Sequence, residues 1–259
     1  MRNLFILVII VICLIQVNGN FFKNISHSNI VFACSTNSRE ANIPIIDRNI
    51  PSNIETATFA MGWFWGPDSL FGILPGVIRT RVGYAGGEKI NPTYHDLENH
   101  SETIQIDYDP EKITYPQLLQ IFWDNHNCKL KSFSRQYMSI VFYHNEKQRD
   151  AAIQSMQEQE KKLDTKLVTE IVPLTQFYRA EDYHQKFRLQ QNEEISGELK
   201  KIYPNFKDFV DSTAVARLNG FIGGHGTCEQ LKKEISTYGL TEVSEKYLLN
   251  LGCPSIQDQ

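Results

Sequence analysis

A surplus of basic residues is missing from this chain. Lys and Arg number 26 against 30 Asp and Glu, a formal net charge of -4 over 259 residues, and the aromatics are not interleaved with basic side chains. Such a balance gives no support to nucleic-acid binding. Histidine is sparse too: the seven present are spread without ligand spacing, so no metal site is expected. After Ile15 no long apolar run occurs, and a membrane-spanning helix takes about 20 such residues. Internal repeats are absent. Gly220 to Gly226 is glycine-rich, but it lacks the spacing of a phosphate loop and follows no strand.

The N-terminus carries a clear local signal. Arg2 precedes an unbroken apolar run from Leu4 to Ile15, and Val17-Asn18-Gly19 has the small residues of a cleavage site. This predicts a secretory signal peptide over residues 1–19, hence a chain that is secreted or in the secretory lumen and free of the membrane after cleavage. Of five cysteines, Cys13 leaves with that segment and Cys34, Cys128, Cys228 and Cys253 remain. In an oxidising compartment these suffice for two disulfides, whose pairing the sequence leaves open. Asn24 and Asn99 stand in glycosylation sequons that fit the same compartment, whereas Pro92 disqualifies Asn91.

Residues 20–54 are polar, without a sustained period, and read as a linker or loosely packed N-terminal arm. Strand patterns follow at Thr56–Ala60, Val77–Tyr84, Glu102–Tyr108, Tyr137–Tyr143 and Val168–Val172. Helical patterns fall at Pro67–Leu74, Tyr115–Asn125 and Asn145–Leu163, and beyond Arg179 the chain turns helical and polar. The order β-α-β-β-α-β, then α-β, suits an α+β fold in the split βαβ manner: a ferredoxin-like two-layer sandwich with additional helices. The domain is expected over 55–190, with a helical C-terminal extension over 191–259.

The stretch Ala57 to Gly66 runs from a strand through Gly62 into a helix start, which places residue 63 at a helix N-terminus. Exposed N–H groups there stabilise an anion, and in a thiol enzyme a thiolate would occupy this spot. Gly62-Trp63-Phe64-Trp65-Gly66 resembles the Gly-Cys-Phe-Trp-Gly signature of the type A peptide methionine sulfoxide reductases. The resemblance continues through Asn91–Tyr94, His100–Glu102, Ile106–Pro110, Phe122–His126, Arg135–Tyr137 and Ala180–Gln185. It covers roughly Ala57 to Leu189, and the tail from Leu218 to Leu240 is similar to a longer C-terminal form of some insect members.

The resemblance implies a thiolate attacking the sulfur of methionine-S-sulfoxide in proteins, then recycling by a second cysteine and thioredoxin or another dithiol reductant. No other cofactor is implied, and a monomer is expected. Phe64 and Trp65 match the aromatic cage for the substrate methyl group, Glu102 the carboxyl group that protonates the sulfoxide oxygen, and Tyr94 and Tyr137 the phenols that bind it. His126 and His184 lie in matching motifs and are expected to serve helix-end hydrogen bonding.

The departure falls on the nucleophile. Trp63 stands at that position, and an indole offers an N–H donor and no usable nucleophile; it is expected to fill part of the methyl-sulfoxide pocket. Ser132 replaces the acidic residue that the family keeps five places before the pocket tyrosine. Three readings follow. The first is a degenerate member still binding Met or Met-sulfoxide side chains of partner proteins. The second is an active reductase, using Cys128 as a relocated nucleophile at the pocket border or with Trp63 a sequence error. The third is a structural or interaction protein whose pocket is plugged. Cys128 is expected in a structural disulfide, and Cys228 and Cys253, where longer members place resolving cysteines, are expected to form a structural bridge.

Overall fold

The computed structural model describes residues 43–253. The expected signal peptide, Asn24 and Cys34 lie outside the described residues. Ten helices and six strands are described, and none of the helices is long and apolar enough to cross a membrane.

Strand β1 (Glu55–Met61) alternates so that Ala57 and Phe59 face one side of the sheet. Gly62 ends it with φ 89°, a left-handed conformation that costs a residue without Cβ little. Helix α2 (Trp65–Gly72) follows at once, with Pro67 in its first turn, where a missing N–H costs no intrahelical bond. Strands β2 (Val77–Ala85) and β3 (Ser101–Tyr108) come next, then α3 (Tyr115–Asp124), entered through a Thr114–Gln117 capping box. Strand β4 (Ser139–Tyr143) leads to α4 (Glu146–Leu163), capped by the Asn145 side chain, which accepts from the Gln148 N–H. Two short strands, β5 (Glu170–Pro173) and β6 (Phe177–Arg179), complete the sheet.

The sheet order is β5-β4-β1-β3-β2-β6, with β4–β5 the parallel pair and the other neighbours antiparallel. Strand β3 therefore lies between β1 and β2, which α2 connects: the split βαβ expected from the sequence. Strand β6 was not anticipated, because three residues are too few for alternation to register. One sheet face buries Ala57, Phe59, Ile104 and Ile106 against Phe71 of α2, Leu118, Leu119 and Phe122 of α3, and Ala152 of α4. The Phe59 ring sits 5.1 Å from that of Phe122 and 5.7 Å from that of Phe71.

The remaining helices are α5 (Phe187–Gln190), α6 (Glu193–Ile202), α7 (Phe206–Asp211), α8 (Thr213–Ile222), α9 (Cys228–Glu234) and α10 (Glu242–Gly252). They build a second core around Leu199, Phe209, Val215, Leu218, Tyr238 and Leu248. This helical layer packs directly onto α2. A Cβ at Gly72 would lie 2.6 Å from the Ala216 carbonyl oxygen, so the two backbones meet where only glycine fits. Arg217 Nη1 donates to the Gly72 carbonyl at 2.7 Å and Asn219 Nδ2 to Ser69 Oγ at 3.3 Å. The end of the expected loose arm is also tied down. Asp47 of the short α1 (Ile45–Arg48) accepts from Tyr203 Oη, Ser212 Oγ and the Thr213 N–H.

Candidate functional site

The candidate site lies where the end of β1 and the starts of α2 and β3 meet. The turn presents Trp63, Phe64 caps the helix, and Trp65 is its first residue. A cavity of about 160 Å³ opens there, lined by Trp63, Phe64, Trp65, Tyr94, Glu102 and Tyr137. All six were expected at the site from the sequence, and the fold brings them together from four separate stretches of chain.

Glu102 is the cavity's carboxylate and only 3% exposed. It sits near the start of β3 opposite Tyr84 of β2. Its Oε2 accepts from the Phe64 N–H at 3.1 Å and its Oε1 from Gln136 Nε2 at 2.8 Å. Burial pushes the carboxyl pKa up, and the two hydrogen bonds from Gln136 and Phe64 pull against that shift without cancelling it. Gln136 escaped the sequence reading, although it stands beside Tyr137 within a quoted motif. A neutral amide next to a phenol carries no chemical signal of its own.

Tyr137 faces Tyr94 and Trp63. Partial burial, then contact with the Tyr94 hydroxyl and the Glu102 charge, raises its pKa, and the Trp63 N–H works in the opposite direction. The Trp63 and Tyr137 rings meet edge-on at 6.1 Å. Trp63 itself is 66% exposed. It forms one wall of the cavity, and the rest of that space stays open.

Behind the cavity, Trp65 stacks on Phe187 at 3.8 Å and 7°, and its Nε1 donates to His184 Nδ1 at 3.2 Å. His184 is buried, burial lowers its pKa, and a neutral ring accepting at Nδ1 carries its proton on Nε2. Glu181 accepts from Tyr84 Oη at 2.7 Å and from the Tyr94 N–H at 2.9 Å, which ties the Tyr94 loop to the sheet. Burial raises the Glu181 pKa, but these hydrogen bonds outweigh it and the net shift is downward. His126 lies elsewhere: its Nδ1 donates to the Phe122 carbonyl at the end of α3, and its Nε2 meets Ser139 Oγ at 2.7 Å.

Among the described residues no cysteine lines the cavity. Cys128 is a buried free thiol, 5% exposed, packed in the core with Phe122 and Trp123. This corrects two expectations, a disulfide at Cys128 and a place for it at the pocket border. The loop after α3 turns the Cys128 side chain into that core, and the Cys128 carbonyl accepts from the Val168 N–H just before β5. Cys228 and Cys253 form a disulfide across 25 residues, between the start of α9 and the end of α10. Asn99 is exposed, with its Oδ1 accepting from the Glu88 N–H. Ser132 Oγ accepts from the Ser134 N–H. Among the described residues no cluster of His, Cys, Asp or Glu is suited to a metal ion.

A second cleft, of about 350 Å³, opens between the starts of α3 and α4 beside Glu55, Tyr115, Lys147 and Gln148. Its carboxylate, Glu55, is engaged by Tyr108 Oη at 2.7 Å.

Residues 55–217 match the family described as peptide methionine sulfoxide reductase. The peptide methionine sulfoxide reductase of Drosophila melanogaster is 43% identical over 212 residues, covering 81% of this chain and 84% of that protein. The protein MsrA of Methanosarcina acetivorans, a peptide methionine sulfoxide reductase, is 40% identical over 173 residues, covering 62% of this chain and 89% of its own length. Among solved structures, Mxr1 from Saccharomyces cerevisiae in reduced form aligns with a TM-score of 0.50 at 26% identity, covering 56% of this chain and 90% of that one.

Proposed function

The chain belongs to the peptide methionine sulfoxide reductase family, and from that premise we propose that its site receives methionine or methionine sulfoxide side chains of other proteins without reducing them. Trp63 stands where the family keeps its nucleophile. The observation that carries this reading is the absence of a thiol at the cavity among the described residues. Trp63 forms the front wall, Cys128 is sealed in the core, and Cys228 and Cys253 are bridged. Attack on a sulfoxide sulfur needs a thiolate, and an indole supplies none.

What remains suits binding. Phe64 and Trp65 offer apolar surface to a methyl group, and the Tyr94 and Tyr137 hydroxyls can donate to a sulfoxide oxygen. Glu102, raised in pKa by burial, would have been the proton donor of a reaction that position 63 no longer starts. A thioredoxin-like dithiol reductant has no thiol to recycle here. The open cavity beside an exposed Trp63 speaks against a plugged pocket, and the burial of Cys128 speaks against a relocated nucleophile. A secretory location is part of the proposal, supported by the Cys228–Cys253 bridge, since such bonds persist in oxidising compartments.

Dithiothreitol-driven turnover of a methionine-S-sulfoxide peptide tests the reading, with the purified chain compared to its Trp63→Cys variant. Turnover by the variant alone is the expected result. Turnover by the unaltered chain sinks the proposal, because another group would then be carrying the reaction.

A further inference from the structure

We propose that the Trp63 cavity is a cage for a methylated onium group, a quaternary ammonium at the tip of a side chain or headgroup. The inference goes beyond sulfoxide binding and shares with that reading only the premise that this cavity is the binding site. Its starting point is charge. Glu102 lines the cavity, is 3% exposed, and both its oxygens are already occupied by neutral donors, the Phe64 N–H and the Gln136 amide. Both hydrogen bonds hold the carboxylate in place, and neither neutralises it. A cation placed in the cavity would.

The second observation decides which cation. A primary ammonium brings three N–H donors and a guanidinium five, and each buried donor needs an acceptor. The cavity's acceptors are few and set among aromatic carbon: the two Glu102 oxygens, each already accepting one neutral donor, and the Tyr94 and Tyr137 hydroxyls. A donor-rich head seated here would trade water for ring faces around much of its N–H surface, at a cost. A quaternary ammonium has no N–H to satisfy. Its charge is spread over methyl groups, which lie favourably against aromatic faces. Five rings line the cavity, from Trp63, Phe64, Trp65, Tyr94 and Tyr137.

Shape agrees with charge. About 160 Å³ is well below the roughly 300–1,000 Å³ of pockets that enclose a whole small molecule. The space takes a headgroup while the rest of its carrier stays outside, past the exposed Trp63 indole. Behind the wall, His184 is held neutral by burial, so it adds no opposing charge. Trp65 is fixed by its stack on Phe187, so that ring is preorganised and loses little freedom on binding.

Tryptophan fluorescence titration of the full chain tests the proposal with five probes. They are tetramethylammonium chloride, a trimethyllysine peptide, phosphocholine, the unmethylated lysine peptide, and the trimethyllysine peptide with a carbon replacing its charged nitrogen. The cationic methylated probes are expected to bind at least about tenfold more tightly than the uncharged isostere and the unmethylated peptide. Preference for the trimethyllysine peptide assigns the ligand to a modified protein, and preference for phosphocholine assigns it to a choline headgroup. Glu102→Gln is expected to erase the advantage of charge. Trp63→Ala, at an exposed position where folding is little affected, is expected to weaken all methylated probes together. Equal affinity for the charged and uncharged isosteres, or no saturable binding of any trimethylated cation, overturns the inference. Binding of methionine sulfoxide peptides without onium binding would leave the earlier reading standing and remove only this one. Onium binding together with sulfoxide turnover would do the reverse.

Discussion

Two carboxylates are buried on either side of the start of α2, and each accepts a backbone N–H. Asp68, inside the helix, is fully buried against Lys186, which is fully buried too. The Lys186 Nζ donates to Asp68 Oδ1 at 2.7 Å, to the Thr80 carbonyl at 2.6 Å and to Thr80 Oγ1 at 2.6 Å. Asp68 Oδ2 also accepts the Lys186 N–H at 2.9 Å, which holds that residue in a left-handed conformation with φ 51°. Glu102 has the same depth and hydrogen bonds of similar length, but neutral partners and an open cavity. A charge closed on its own counter-ion belongs to the architecture. A charge left without one, facing space, is available to a ligand.

Breaking the closed pair should have the largest effect. Lys186→Met leaves Asp68 buried without its cation, which costs about 3–5 kcal/mol, and chemical denaturation should show the loss directly. Pairing it with Asp68→Leu should recover only part, because the Lys186 N–H and Thr80 Oγ1 then lose their acceptor. A loss below about 1 kcal/mol for Lys186→Met would erase the contrast between the two carboxylates.

The helical layer that covers α2 comes next. Replacing Cys228 and Cys253 by serine opens a 25-residue loop, for which chain entropy predicts a loss of about 3 kcal/mol. The bridge ties α9 to α10, and neither helix lines the Glu102 cavity, so onium or sulfoxide affinity should survive while the denaturation midpoint falls. Loss of ligand affinity in step with stability would show that the cavity depends on the layer as a whole.

Much of this contrast was legible in the sequence, but unevenly. The strands of the split βαβ unit announced themselves by alternation, and the six cavity residues by their motifs. Asp68 and Lys186 did not, because they lie 118 residues apart and a lone Lys after Gln185 reads as a surface residue until the chain is folded. Gln136 was silent for a similar reason: its role exists only relative to Glu102. The place of Cys128 is not legible in the sequence, because the distance from Trp123 to Tyr137 does not say whether the loop between them turns a side chain into the core or toward the cavity. The exposure of Trp63 belongs to the folded turn after β1, which no composition reports.

The smallest effect concerns Glu102 and sharpens the comparison through its sign. Burial raises the Glu102 pKa above its unfolded value. Between those two values the folded chain holds a proton that the unfolded chain has released, so stability falls as pH rises across that window and stays lowered above it. The groups facing Glu102 are the Gln136 amide, the Phe64 N–H, and the Tyr84 and Tyr137 phenols, all neutral in this range. Glu102→Gln keeps the shape and an acceptor for the Phe64 N–H, and the Gln136 amide can turn its oxygen toward the new donor. The variant should therefore melt at or slightly above the parent temperature at pH 7 to 8, with the gap closing as the pH is lowered below the carboxylate range. A saturating quaternary ammonium should reverse the order at neutral pH, since only the parent gains a counter-charge. Thermal melts across pH, with and without tetramethylammonium, read both effects. If Glu102→Gln instead lowers the melting temperature most at neutral pH, Glu102 is a satisfied structural charge like Asp68, and the cavity does not hold a place for a cation.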